Sequence, residues 1–109
     1  MEEKTLREIC EETGVTRRAV QGYEKAGLIS ASGRNKYGYL LYSPETEERI
    51  SQIRFLQEIG FAVKEIKVFE NAPKEEQREE LKKKAQELQE EYERMKILLT
   101  RLDEMIREL

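Results

Sequence analysis

The sequence predicts a mainly α-helical protein: a winged helix-turn-helix head with a small β-hairpin wing, followed by a long C-terminal coiled-coil dimerisation helix. Three observations predict this fold: two short amphipathic segments joined at Gly14, a polar stretch with glycines that ends in aromatic residues, and a final segment without glycine or proline. We expect the head over residues 1–72 and the coiled-coil helix over residues 73–109. A chain of 109 residues is long enough for one such head and one appended element.

The first helix is expected over residues 5–13. Gly14 follows it, where a glycine commonly ends a helix. The apolar side chains of this segment recur at the spacing of one helix face, at Leu6, Ile9 and Cys10. This register predicts that Cys10 is a packed core thiol and not a redox sensor.

The second helix is expected over residues 17–26, with Thr16 as its N-cap and Gly27 at its end. In a helix-turn-helix unit this second helix enters the major groove of DNA. Gly22 lies inside it and costs about 1 kcal/mol relative to alanine. Either close packing or a close approach to DNA explains a glycine at this position.

The wing is expected over residues 28–42. Residues 28–29 form a short apolar strand in this prediction, residues 30–38 a polar turn, and residues 39–42 an apolar and aromatic strand. The turn contains Arg34, Asn35, Lys36 and Tyr37, which suit contacts to phosphate and sugar. An ordinary solvated turn is the alternative, but the preceding helix-turn-helix favours a wing that faces DNA.

Two further helices complete the head. Ser43, Pro44 and Glu45 have the chemistry of a helix start, and Gly60 ends the third helix that begins there. A short fourth helix contains Ile66 and Phe69 and precedes a break at residues 71–73.

The last segment has the apolar pattern of a coiled coil. After Pro73 it contains no glycine or proline, and its apolar residues alternate in spacings of four and three. One helix cannot bury such a stripe, so we expect a homodimer; the alternative is a helix that folds back over its own head. The stripe, called the seam below, consists of Leu81, Ala85, Leu88, Tyr92, Met95, Leu99, Leu102, Ile106 and Leu109.

Charge is distributed unevenly along the sequence. The net charge is −3, but residues 14–42 have five basic side chains and one acidic one, a net charge of +4. Residues 43–109 have thirteen basic and seventeen acidic side chains, a net charge of −4. The first segment can approach the phosphates of DNA, whereas the second should avoid them.

Composition excludes several classes of function. The chain has no histidine and a single cysteine, so we expect no metal, no other cofactor and no histidine-based catalysis. An enzyme is the least favoured class, because no nucleophile motif or phosphate-binding glycine loop is present. No apolar run has the length of a membrane span and the N-terminus lacks a signal-peptide pattern, which predicts a cytoplasmic protein without a membrane partner.

Four segments together match a known pattern: "LREICEETGV" from residue 6, "VQGYEKAGLI" from residue 20, "GYLLY" from residue 38 and "IRFLQEIGFAVKEI" from residue 53. Over roughly residues 5–69 the chain resembles the MerR family of bacterial transcriptional regulators. The resemblance implies long helices that pair antiparallel in a homodimer, which places two heads on one face of double-stranded DNA. It further implies an inverted-repeat promoter site that is bent and untwisted for RNA polymerase.

The resemblance also assigns DNA contacts. Thr16, Arg17 and Arg18 match positions that meet base edges or phosphates, and Tyr23 matches an aromatic residue that supports a backbone contact. The wing positions are matched by Arg34, Lys36, Tyr37, Tyr39 and Tyr42.

Three positions depart from the family pattern. The family usually has an arginine and an aromatic residue where Gln21 and Gly22 stand, and an arginine where Leu40 stands. Gln21 can still read a base edge, with adenine as its best partner. We expect weaker phosphate binding and a shallower salt dependence than the family pattern implies.

Family members often have an effector domain or a cysteine-bearing metal loop after the dimerisation helix, and the sequence ends at Leu109 with neither. We therefore expect a short form without a small-molecule effector or metal sensing, or residues that belong to a longer product. Two further alternatives stay open. One is an architectural DNA-bending protein of the excisionase type, and the other is a coiled-coil protein-interaction module whose head has lost DNA affinity.

Overall fold

The structure is a computed structural model that describes residues 3–109. It divides into two units, one that ends at Asn71, called the head below, and one that comprises Ala72–Leu109. The predicted mainly α-helical fold, with a small sheet in the head and a long C-terminal helix, is confirmed. Within the described residues the helices are α1 (Leu6–Thr13), α2 (Arg17–Lys25), α3 (Pro44–Glu58), α4 (Val63–Asn71) and α5 (Lys74–Glu108), and the strands are β1 (Lys4–Thr5), β2 (Gly33–Arg34) and β3 (Leu40–Tyr42).

Helices α1 and α2 form the predicted helix-turn-helix. The Thr5 hydroxyl accepts a hydrogen bond from the Glu8 N–H, and the Glu8 carboxylate accepts one from the Thr5 N–H. This capping box starts α1 one residue later than predicted. Gly14 ends α1 with φ 75°, a left-handed conformation that favours glycine, and Thr16 caps α2 as predicted.

The wing differs from the prediction at its first strand. Leu28 and Ile29, predicted to be a strand, lie outside any strand and pack against the core. The Leu28 N–H donates to the Tyr23 carbonyl at the end of α2, so the apolar character of this segment reflects burial and not strand pairing. Strand β3 instead pairs antiparallel with β2 on one side and with β1, which the sequence did not predict, on the other.

The core of the head lies between its four helices and the sheet. Ser43 caps α3 and Pro44 occupies its first turn, as predicted. Arg54 on α3 donates from Nη1 to the Thr13 carbonyl at 2.7 Å, which joins the end of α1 to α3. Cys10 is half-buried and packs against this core, in the position expected of a structural thiol. The buried side chains are Ile9, Val15, Val20, Tyr23, Tyr42, Ile50, Ile53, Phe61 and Ile66.

Helix α5 runs without interruption over 35 residues, as the absence of glycine and proline predicts. None of its side chains is buried within residues 3–109. Large seam residues stay exposed, from Leu81 at 40% to Ile106 at 61%, and Leu109 at the end of the chain is fully exposed. Among residues 3–109 no helix combines the length and the apolar character needed to cross a membrane.

Candidate nucleic-acid interface

The exposed face of α2 is basic. Arg18, Gln21, Gly22 and Lys25 recur at the spacing of one helix face and are all exposed, and Arg17 is exposed beside them. The opposite face is anchored in the core by Val20 and Tyr23. None of the three cations of this face, Arg17, Arg18 and Lys25, forms an ion pair within residues 3–109. Their charge is therefore available to an anionic partner.

Two of the predicted contact residues have structural roles in α2. The Thr16 hydroxyl accepts a hydrogen bond from the Ala19 N–H, so it caps the helix while the residue itself stays exposed. Tyr23 is only 2% exposed, and its hydroxyl donates to Gln57 Oε1 at 2.5 Å. Burial raises the pKa of Tyr23, which keeps the phenol neutral. Tyr23 therefore fixes α2 against α3.

The tip of the wing is held by its own hydrogen bonds. Asn35 Oδ1 accepts from the N–H groups of Tyr37 and Tyr39, and the Asn35 carbonyl accepts from the Gly38 N–H. Gly38 has φ 85°, which a residue with a side chain rarely adopts. Arg34 Nη1 donates to the Gly38 carbonyl at 2.7 Å across the turn. The turn is thus preorganised by side chains.

The wing presents two aromatic rings and a lysine to the exterior. Tyr37 is 72% exposed and Tyr39 is 64% exposed. The Lys36 ammonium lies 5.2 Å from the centre of the Tyr37 ring, a distance that permits a cation–π contact. Rings and cations of this kind suit sugar and phosphate groups, as the sequence predicted for this segment.

Tyr42 requires a correction to the predicted wing surface. The residue is 1% exposed, and its hydroxyl hydrogen-bonds to the Glu24 carboxylate of α2. Burial, followed by the contact with Glu24, raises its pKa far above the ordinary value of a tyrosine. Tyr42 is the last residue of β3, and its ring packs among the buried side chains of the core. A direct contact to DNA is thus replaced by a link between the wing and α2.

A groove with a volume of about 570 Å³ lies between α2, the wing and the start of α1, and we call it the central groove. It brings together four of the predicted contact residues: Arg17, Gln21, Arg34 and Tyr39. Among residues 3–109 the side chains that line it include three arginines and no acidic residue. Its lining residues are Thr5, Leu6, Arg7, Arg17, Gln21, Arg34, Gly38, Tyr39 and Leu40.

Gly22 lies on the exposed face of α2, next to Gln21. A Cβ atom added at Gly22 would meet no atom within 4 Å. Close packing within the described part of the chain therefore does not explain this glycine, whereas a close approach to DNA stays open.

Sequence reasoning missed Arg7, which lines the central groove from α1. The charge count that marked residues 14–42 as basic began after it. Its position in α1 could have indicated an exposed cation, because Arg7 lies outside the apolar stripe of that helix. Its approach to the wing depends on the pairing of Thr5 with Leu41 in two short strands, which no sequence pattern reveals.

The second unit presents the predicted seam on an exposed helix face. Leu88, Tyr92, Met95, Leu99 and Leu102 are each between 42% and 59% exposed. Leu98 and Met105, which the sequence prediction left out, are also exposed and lie one position before seam residues. An apolar face of this extent calls for a covering partner.

The chain is similar to a known protein family and to one of its members. The family model "MerR HTH family regulatory protein" matches residues 4–72. Nodulation protein NolA of Bradyrhizobium elkanii is 45% identical over 60 residues, which are 55% of this chain and 27% of NolA. The chain thus spans about a quarter of the length of this relative.

Two solved structures have a similar fold. The N-terminus of MtaN, the multidrug transporter activator of Bacillus subtilis, is 29% identical, with a TM-score of 0.66 over 94% of this chain and 97% of that one. HiNmlR, described as a regulator lacking the sensor domain and bound to promoter DNA, is 21% identical. Its TM-score is 0.74 over 90% of this chain and 79% of that one.

Proposed function

The chain belongs to the MerR family of helix-turn-helix regulatory proteins, and from this premise we propose that it is a sequence-specific DNA-binding regulator of transcription. The observation that carries the proposal is the exposed face of α2, whose arginine and lysine side chains have no ion-pair partner within residues 3–109. The similar MtaN, named as part of an activator, supports a role in transcription.

We propose a division of labour among the contact residues. Arg17, Arg18, Arg34 and Lys36 bind phosphates, since each is an exposed cation of the head. Gln21 reads a base edge from the middle of the α2 face, and adenine suits its amide best. Thr16, Tyr37 and Tyr39 complete the contact surface from the start of α2 and from the wing. Tyr23 and Tyr42 act from the core, by holding α2 and β3 in position.

The protein acts as a homodimer in this proposal. The seam of α5 is exposed along its whole length within the chain, and a second copy has the same seam to cover it. A dimer with twofold symmetry presents two identical heads, so its natural site on DNA is an inverted repeat. In this proposal residues 1–72 bind DNA and residues 73–109 form the dimerisation helix.

Bending and untwisting of promoter DNA, with RNA polymerase as a further partner, follow from family membership and form the finer part of the proposal. An architectural DNA-bending protein is the competing function. Transcription from the target promoter with purified polymerase separates the two, because an architectural factor would leave the transcript level unchanged.

The test of DNA recognition is a mobility-shift titration with a duplex selected from random DNA by the purified protein. We expect binding in the nanomolar range at physiological salt, and an affinity that falls steeply as salt rises. The variant Arg18→Ala should bind more weakly, whereas Arg94→Ala on α5 removes the same charge outside the proposed interface and serves as the control. Equal affinity for selected and scrambled duplexes would refute sequence-specific recognition.

A further inference from the structure

The central groove is lined by one arginine from each of three elements. Arg17 comes from the first turn of α2, Arg34 from β2 and Arg7 from α1. The guanidinium group is planar and offers several N–H donors in a fixed geometry that matches a phosphate. Three arginines around one concave surface, with no acidic residue among its described lining residues, suit an anionic partner.

Arg7 is placed to serve this site. Its side chain is 82% exposed, and its Nε donates to Glu11 Oε1 at 3.2 Å. This contact joins two exposed side chains one helical turn apart, so it is weak. It orients the side chain through Nε and leaves Nη1 and Nη2 without a partner within residues 3–109, so both can bind an anion.

The other acidic residues of α1 are already engaged. Glu8 is held by Thr5 in the capping box, and Glu12 pairs with the Lys4 ammonium. The contact with Thr5 lowers the pKa of Glu8, and the contact with Lys4 lowers the pKa of Glu12. These contacts hold the two carboxylates away from the groove, which neither of them lines. The α1 side of the groove therefore presents a cation although α1 is an acidic helix.

We propose that Arg7 binds a phosphate of the DNA backbone and is a contact residue contributed by α1. The inference rests on the proposed DNA-binding function and adds a contact outside the exposed face of α2 and the wing. Leu40, which also lines the groove, offers no charge there, so Arg7 supplies the cation that this part of the groove would otherwise lack.

The experiment compares wild type, Arg7→Ala, Arg7→Lys and Arg17→Ala by fluorescence titration with the selected duplex and with a scrambled duplex of equal length, at several salt concentrations. The slope of log affinity against log salt is negative, and one lost phosphate contact should make it shallower by roughly 0.9 for each head bound. If the variant and wild type bind equally at 1 M salt, the variant should bind about eightfold more weakly for each head at 0.1 M salt.

We expect Arg7→Ala to show this loss equally on both duplexes, because a phosphate contact carries no sequence information. Arg7→Lys should retain the slope, since it keeps the charge. Equal melting temperatures of the four proteins serve as the folding control.

Two results overturn the assignment while leaving the proposed function intact. One is an Arg7→Ala protein with an unchanged salt slope when Arg17→Ala binds DNA more weakly than wild type. The other is a loss confined to the selected duplex, which would indicate a base contact. A wild type that binds neither duplex refutes the proposed function, and the Arg7 assignment with it.

Discussion

Replacing Gly22 with alanine should make the head more stable. The residue lies inside α2, and an added Cβ would meet no atom within 4 Å. The substitution therefore introduces no clash, and the higher helix propensity of alanine should raise the free energy of unfolding by about 1 kcal/mol. For a unit of this size the gain corresponds to a rise in Tm of roughly 4–8 °C.

The assay is thermal and urea denaturation followed by far-UV circular dichroism at one fixed protein concentration, since dimerisation would make stability depend on concentration. Gly27→Ala is the matched control. Gly27 has φ 78°, so an alanine there must adopt the left-handed conformation, at a cost of about 1–2 kcal/mol. Gly22→Ala should gain stability and Gly27→Ala should lose it. A Gly22→Ala protein no more stable than wild type would refute the reasoning.

The same variant tests why a destabilising glycine stands on this face. A close approach of α2 to DNA predicts that Gly22→Ala binds its selected duplex more weakly although it folds more stably. These opposite signs separate a steric effect at the interface from any general damage to the fold. An unchanged or higher affinity would remove close approach as the explanation.

Three further predictions concern the wing, the seam and the capping box. Tyr42→Phe should lower the free energy of unfolding by about 1.5–3 kcal/mol, because it removes a hydrogen bond to the charged Glu24; equal urea midpoints would contradict this. Leu99→Lys should be monomeric in sedimentation equilibrium at micromolar concentration, whereas Ile97→Lys, equally exposed but off the seam, should stay dimeric. A Leu99→Lys protein that stays dimeric would exclude the seam as the interface. The pKa of Glu8 is lowered, so the Glu8 carboxylate stabilises the fold above the ordinary carboxyl pKa. This stabilisation is lost as pH falls through the lowered pKa. In urea denaturation, Glu8→Gln should therefore lose less stability than wild type between pH 5 and pH 3.

Local chemistry explains why the helices could be predicted from sequence. Each helix boundary is set by a residue within one turn of it, so each signal lies beside its effect. The residues are the caps Thr16 and Ser43 and the terminating Gly14. The long helix was predicted for the same reason, since only the absence of glycine and proline was needed.

The sheet and part of the candidate site could not be predicted in this way. Strands β1 and β2 have two residues each, which is too short for an alternating pattern to show. Tyr42 was assigned to the wing surface because the family resemblance matches it to a wing position, but its partner Glu24 lies 18 positions earlier in the chain. A contact over that separation follows from packing and leaves no local signal.

The distribution of ion pairs explains how an acidic protein can present a basic surface. Within the head, several cations outside the α2 face are paired with carboxylates of the same unit: Lys4 with Glu12 and Glu47, Arg49 with Glu70, and Arg54 with Glu58. These pairs offset positive charge in the body of the head, while the arginine and lysine side chains on α2 stay unpaired within residues 3–109. The field that a DNA phosphate meets near α2 is set by these unpaired cations and not by the net charge of −3, because screening confines each charge to about 10 Å at 0.1 M salt. A net charge summed over the whole chain is therefore a poor guide to the partner of this head.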